Sequence, residues 1–324
     1  MPHTRPMRAD ELDLFVEASS ESRHPREIKQ YIESMFAAGS MRPEWCFVIE
    51  GEDRPIGRVA LWTLPGMSEP LDLVLLDLRW EEPDHPTTGT RLLRRVLEEA
   101  RDLGAREVGY VLDAPPMWPQ WQYYPKERAG MLVRAGFIVE RETIRFEWRS
   151  GNAPPSVPER LVFRSLEEVG KAAFVDAVVR VSEDTLDREI RNEREERGPE
   201  KAGREFFEME SKLEHDPSWW RLAYTPEGDL VGLIMASKNP TSPVIGYIGV
   251  VPEHRGRGYA DDLLATGTDI LRSAGAEQVR ADTDIHNAPM ALAFRRAGYT
   301  EFATRREYGV DLPSNEGRPV TGSA

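Results

Sequence analysis

Cysteine is nearly missing from this chain. Among 324 residues there is one, Cys46, so no intrachain disulfide can form. A chain of this length must then be held by packing, which suits a reducing compartment. Also missing is any apolar run of the ~18 residues that a membrane-spanning helix needs. The opening Met1-Pro2-His3-Thr4-Arg5 has none of the features of a secretory leader. These absences predict a soluble, cytoplasmic protein with no membrane partner. Positive charge is scarce too: 42 Lys and Arg stand against 56 Asp and Glu, a formal net charge of −14. That balance argues against nucleic acid and anionic lipid surfaces as partners and favours a cationic ligand.

What is present points to two domains. The length suits two units of ~160 residues, and 40% hydrophobic residues can supply two cores. A stretch rich in Pro, Gly, Ser and Asn at 151–158 reads as a linker between domains at 1–150 and 159–311, and 312–324 as a flexible tail. The two halves share a plan. Arg101-Asp102-Leu103-Gly104-Ala105 parallels Arg272-Ser273-Ala274-Gly275-Ala276, and Arg134-Ala135-Gly136-Phe137 parallels Arg296-Ala297-Gly298-Tyr299. Helical spacing predicts helices over 9–18, 25–38, 90–103, 166–180 and 288–297, and a charged helical stretch from 184 to 214 interrupted near Gly198-Pro199. Hairpins are predicted at 45–62, around Gly51, and at 219–235, around Gly228.

One stretch organises the second half. Ile248-Gly249-Val250-Val251 reads as a strand stopped by Pro252, which cannot donate to a ladder. Glu253 through Gly258 forms a glycine turn, and Ala260, Leu263, Leu264, Ile270, Leu271 and Ala274 give the apolar stripe of a helix. The first amides of a helix lack internal acceptors and carry partial positive charge, so this junction suits a phosphate. Gly256 and Gly258 leave the backbone open, and Arg255 and Arg257 add charge. The spacing is neither the dinucleotide fingerprint nor the P-loop.

The pattern Arg255-x-x-Gly258-x-Ala260 after such a strand resembles the acyl-CoA loop of the GNAT N-acetyltransferases. A second motif follows in Asn287-Ala288-Pro289-Met290, Phe294 and Gly298-Tyr299. The resemblance implies an α/β fold, a mixed, mostly antiparallel sheet flanked by helices, in two tandem copies as in proteins of the mycothiol synthase type. It implies acetyl-CoA as cosubstrate, no metal, and a small-molecule primary amine as acceptor. A non-catalytic acyl-CoA sensor and a protein N-acetyltransferase are the alternatives, and the oligomer is open between monomer and homodimer.

Residue by residue, the resemblance implies that Val250 and Val251 meet the pantetheine arm through their backbone. Arg255, Gly256, Arg257, Gly258, Tyr259 and Ala260 would hold the pyrophosphate, and Asn287 would bond the arm or a water. Asp282, five residues before that asparagine, is the candidate base, with Asp284 on the same strand face. The position of the family's usual tyrosine acid holds Phe294, which has no proton to give. Tyr247, Tyr259, Tyr299 and Tyr308 are candidate substitutes. In the first half, aligning Leu92 with Leu263 sets Asp84 opposite Arg255 and Thr87 opposite Gly258. Acids and prolines replace arginines and glycines there, so that half is expected to have lost the coenzyme. The charged stretch 183–216 reads as a solvated helix face or as an acidic lip that attracts a cationic amine. Trp118, Trp121, Tyr123 and Tyr124 are expected to pack on the other domain or to line a pocket.

Overall fold

A computed structural model describes residues 3–18, 23–52, 54–151, 159–239 and 242–313. Two compact units emerge. Unit 1 is Met1–Glu140 with Arg305–Ala324, and unit 2 is Arg141–Thr304.

Unit 1 runs β1 (His3–Pro6), α1 (Leu12–Glu17), α2 (Pro25–Ala37), β2 (Cys46–Glu50), β3 (Pro55–Trp62), β4 (Asp72–Leu78), α3 (His85–Asp102), β5 (Glu107–Ala114) and α4 (Pro125–Arg134), and ends in the start of β6 (Ile138–Arg149). β1 to β4 pair antiparallel in sequence order, and β5 joins β4 in parallel. β2 shows how the sheet is held. Phe47 and Ile49 enter the core under α3, with Leu92, Leu93 and Val96, while Cys46 and Val48 pack with Phe15, Ile28 and Ile32 of α1 and α2. Strand side chains alternate faces, so a strand covered on both sides reads as the unbroken apolar run Cys46-Phe47-Val48-Ile49. Each fully buried side chain of this kind stabilises by about 1.5–3 kcal/mol.

Unit 2 runs β7 (Val162–Ser165), α5 (Leu166–Val181), α6 (Arg188–Arg197), α7 (Pro199–Glu210), β8 (Trp220–Tyr224), β9 (Leu230–Lys238), β10 (Pro243–Val250), α8 (Tyr259–Ser273), β11 (Gln278–Asp284), α9 (Ala288–Arg296) and the start of β12 (Thr300–Asp311). The element order repeats that of unit 1 with one more helix between the first two strands. Leu233 and Met235 of β9 face Phe174 and Val178 of α5, and Ile234 and Ala236 face Leu263, Leu264 and Leu271 of α8. The helix starts are chemically marked. Ser165 and Glu168 form a capping box on α5, and Asp187 accepts the amides of Glu189 and Ile190 on α6. Among the described residues no helix is long and apolar enough to cross a membrane.

Several expectations need correction. The units do not follow the spans 1–150 and 159–311. β6 follows α4 in sequence but pairs with β11 of unit 2, from Thr143 to Arg149, while the part of β12 from Arg305 onward lies beside β5 of unit 1. Helix α3 begins at His85 rather than near Thr90. Pro86 in the first turn has the φ a helix start wants, so the wound segment absorbs what looked like a loop. The tail does not begin at 312. Leu312 is buried in the unit 1 core, and its amide bonds Arg106 O at 2.7 Å. The linker call at 152–158 and the tail call at 314–324 lie outside the described residues. The loop aromatics settle within unit 1: Trp121 stacks on His24 at 3.7 Å, and Trp118 meets Tyr31 edge-on at 6.3 Å.

Candidate functional site

The glycine loop of unit 2 has the backbone of an anion cradle. Gly256 and Gly258 sit at φ +75° and +78°, a region that costs other residues strain. Gly258 is the N-cap of α8 and offers no side-chain acceptor to the first-turn amides. Those amides point out of the helix with the positive end of its dipole behind them. Cations surround the loop. The Arg160 guanidinium lies 4.6 Å from the centre of the Tyr259 ring and bonds buried Asp262 at 2.5 Å, and Arg296 bonds Asp261.

The two arginines of the motif have different surroundings. Arg255 turns inward, donating to the carbonyls of Val250, Val181, Glu183 and Asp184. It ties the end of α5 to the end of β10 and brings its charge to the loop from beneath. Arg257 lies near His254, at 3.4 Å, and faces a separate depression lined also by Asp176, Arg180 and Glu253.

β10 and β11 are parallel neighbours paired at Val244 and Arg280. Beyond that point they part, and a cavity of about 750 Å³ occupies the opening. It is lined by Arg255, Gly256, Gly258, Tyr259 and Ala260 of the loop and helix start, by Ile245–Val250 and Thr283 of the strands, and by residues of α6 and α7. Val250 lines it; Val251 is buried, and its amide is taken by Val231 O at 2.9 Å. Asn287 lines it while capping α9 through the Met290 amide at 3.2 Å.

The candidate carboxylates separate. Asp282 lines the cavity and bonds Arg145 Nε at 3.2 Å. Asp284 is 1% exposed and accepts from the amides of Arg188 and His286, so it anchors the start of α6 and a turn. A third carboxylate escaped the sequence reading. Glu210, the last residue of α7, is buried and lines the cavity. It follows Gly203 and Phe207 on the buried face of α7, a spacing of four and three that was available as a signal.

The tyrosines divide likewise. Tyr299 bonds Thr268 at 2.6 Å, and Tyr308 belongs to the unit 1 core. Tyr247 and Tyr259 line the cavity. Burial, and after it the charge of Asp187, pushes the Tyr247 phenol above its ordinary value. Phe294 lines the cavity too, stacked on Phe146 at 5.0 Å.

Unit 1 has the corresponding opening, and its own side chains fill it. β4 and β5 pair at Asp72 with Gly109 and Leu73 with Tyr110. Beyond, Gln120 Oε1 accepts the Leu75 amide at 3.0 Å. Gln122 accepts the Asp113 amide at 2.9 Å and donates to Val111 O at 2.5 Å. Arg128, 1% exposed, donates to Leu76 O and bonds Asp77 at 3.0 Å.

Comparisons with known proteins find relatives of both sequence and fold. Residues 184–299 match the model of the Acetyltransferase (GNAT) family. The chain is 30% identical over 93 residues to the mycothiol acetyltransferase of Clavibacter michiganensis subsp. michiganensis, covering 29% of this chain and 30% of that protein. It is 35% identical over 82 residues to acetyltransferase SG1711 of Sodalis glossinidius, covering 24% of this chain and 57% of that one. The chain thus matches well under two thirds of the length of these relatives. A solved GCN5-related N-acetyltransferase from Sphaerobacter thermophilus shares the fold over 97% of this chain and 96% of its own, with a TM-score of 0.60 at 16% identity. By the match over 184–299, unit 2 of this chain is similar to the GNAT acetyltransferases.

Proposed function

We propose that unit 2 transfers the acetyl group of acetyl-CoA to the primary amine of a small molecule by direct attack. The observation that carries this reading is the cavity itself, which joins a helix-start anion cradle to a carboxylate-bearing chamber through the opening between β10 and β11. The first amides of α8 and the loop backbone at Gly256 and Gly258 suit a diphosphate, and the Arg255 charge beneath them adds to the attraction. The β10 edge that faces β11 has no strand partner past Val244, so its backbone groups are free to pair with the amides of a pantetheine arm. The thioester would then lie where β10 and β11 separate, and an amine held from the α6–α7 side would meet it in a fixed orientation. Positioning of that kind supplies several kcal/mol of a barrier. The acids of the chamber, Asp282 and Glu210 among them, favour a cationic acceptor.

Unit 1 is the non-binding copy in this reading, because the groups that would meet a coenzyme there already bond Gln120, Gln122 and Arg128. The test is calorimetric titration with acetyl-CoA, followed by release of free thiol in the presence of an amine panel. Saturable binding and amine-dependent thiol release are expected. Binding without turnover on any amine would leave a coenzyme-binding protein instead.

A further inference from the structure

Glu210 is unlike the other acids of unit 2. It is 9% exposed, and its Oε2 is buried with no hydrogen-bond partner among the described residues. The backbone of β10 makes room for it. Between Ile245, which opposes Ala236, and Tyr247, which opposes Met235, the strand carries one extra residue, Gly246. A Cβ on Gly246 would stand 2.4 Å from Glu210 Oε2. The bulge and the bare glycine together hold a carboxylate oxygen against the strand that borders the opening.

The charged groups near it are occupied. Asp187 accepts two backbone amides and the Arg141 guanidinium. Arg194 of α6 donates to Val179 O and Ser182 Oγ. Arg255 is bound to its four carbonyls, and Asp282 to Arg145. Glu189 and Glu193 of α6 also line the cavity, paired with Arg141 and Arg197, and apolar side chains lie among these charges. Phe206 lies 4.5 Å from Tyr247, ring to ring, and Leu186, Ile190 and Met209 complete that side. A buried polar atom without a partner costs about 1–3 kcal/mol, and more if charged, so a site that retains one has a use for it.

We propose that Glu210 binds the ammonium group of the acceptor and takes its proton, and that the acceptor is a primary amine on an alkyl or arylalkyl body. This rests on the acetyltransferase reading. The carboxylate accepts one proton from R–NH3+, leaving a neutral amine with its lone pair. That pair forms the C–N bond to the acetyl carbon as the C–S bond breaks and its electrons go to sulfur. A second N–H proton neutralises the thiolate. The net reaction yields the N-acetyl amine, CoA thiol and one proton, which Glu210 returns to solvent. Burial pushes the Glu210 carboxyl up from its ordinary 4.5 to about 7, a range in which a carboxylate can both take and release a proton near neutrality. The apolar side chains Leu186, Ile190, Phe206 and Met209 offer a carbon chain or ring a surface to pack on.

The experiment compares the full chain with Glu210→Gln. Acetyl-CoA affinity, read by calorimetry, is expected to stay within about twofold, because the residue lies away from the loop. Amine-dependent kcat/KM should fall by about 100-fold or more, and the acid limb of its pH profile should disappear. Thermal unfolding separates this from a structural role. For an acid raised by burial, stability is full below the unfolded pKa and is lost as pH rises through the folded pKa. The wild type should therefore lose stability between pH 4.5 and about 7 on account of this group, and the Gln variant should not. With 2-phenylethylamine, hexylamine and glucosamine as probes, the first two should exceed glucosamine in kcat/KM by about tenfold or more.

Turnover of Glu210→Gln within about threefold of wild type, or a retained acid limb, overturns the role of Glu210. A preference for glucosamine overturns the acceptor class. Both outcomes leave the acetyltransferase reading standing. Failure of the wild type to bind acetyl-CoA, or to release thiol with any amine, removes that reading and this proposal together.

Discussion

Two parallel strand pairs, one in each unit, start alike and end differently. β4 and β5 in unit 1, like β10 and β11 in unit 2, are bonded at one end and then part. Parting strands leave backbone amides and carbonyls that need partners. Unit 1 supplies them from within, with two glutamines and an arginine set into the opening. Unit 2 leaves a cavity there, bounded by a helix-start loop with two left-handed glycines. The same divergence holds where the following helix begins. α3 is wound from His85 onward, whereas before α8 a single 3-10 turn, Pro252–His254, gives way to open loop as far as Gly258. One topology is thus closed or open at this point according to whether the chain satisfies its own strand edges.

The largest effect should come from removing the plug. Arg128 lies at 1% exposure, and it meets Asp77 and the Leu76 carbonyl. Arg128→Met strands the Leu76 carbonyl and takes the nearer cation from Asp77, which keeps Trp80 Nε1 and the more distant Arg58, and chemical denaturation should show a loss of about 3 kcal/mol with unit 2 still binding acetyl-CoA. A loss under about 1 kcal/mol would mean that the plug does not hold the opening shut. Next is the cradle. Gly258→Glu forces a side chain into φ +78° and puts a negative charge at the start of α8. Acetyl-CoA affinity should fall by about 100-fold, or ~2.7 kcal/mol. Thr87→Glu, the counterpart change on exposed α3 surface, should leave affinity untouched. Equal losses from the two variants would break the distinction between the units.

The sequence carried the helix and strand plan, because amphipathic spacing is local, and it carried the glycine loop, because φ and spacing are local as well. It did not show which sheet β6 and β12 would join, since that choice rests on partners far away in the chain. Arg255 read as a ligand because its type suits phosphate. Its burial on the carbonyls of Val181 and Glu183 depends on where α5 ends. Glu210 hid in a stretch dense with charge, and the feature that marks it out is Gly246, a strand away. Asp84 and Thr87 did announce that unit 1 departs from the loop pattern. The plug of Gln120, Gln122 and Arg128 did not announce itself, because glutamines in a loop look solvated until the strand edges they serve are known.

Gln122 gives a finer test of that plug. Its amide answers both Asp113 N–H and Val111 C=O. Gln122→Ala leaves two buried backbone groups unpaired, and unfolding should show a loss of about 1–3 kcal/mol. Gln122→Glu keeps the acceptor for Asp113 but gives up the donor to Val111, so its loss should be at least as large. Recovery of full stability by Glu would mean that the Val111 carbonyl needs no partner.

The smallest effect is expected at Asp282, and it bears most directly on the chemistry. Asp282 and Glu210 both line the cavity, but their surroundings are opposed. Asp282 keeps 32% of its side chain exposed and is paired with Arg145. An exposed pair of this kind contributes about 0.2–1 kcal/mol to stability. Glu210 is buried, without a hydrogen-bond partner for its Oε2, and raised to about 7 by that burial. If proton removal belongs to Glu210, Asp282→Asn should lower kcat/KM by less than about tenfold, through weaker attraction of a cationic amine, and the effect should shrink in high salt. The pH profile should keep its acid limb. A loss of about 100-fold with the limb abolished would move the base to Asp282, and would assign Glu210 to holding the acceptor rather than deprotonating it.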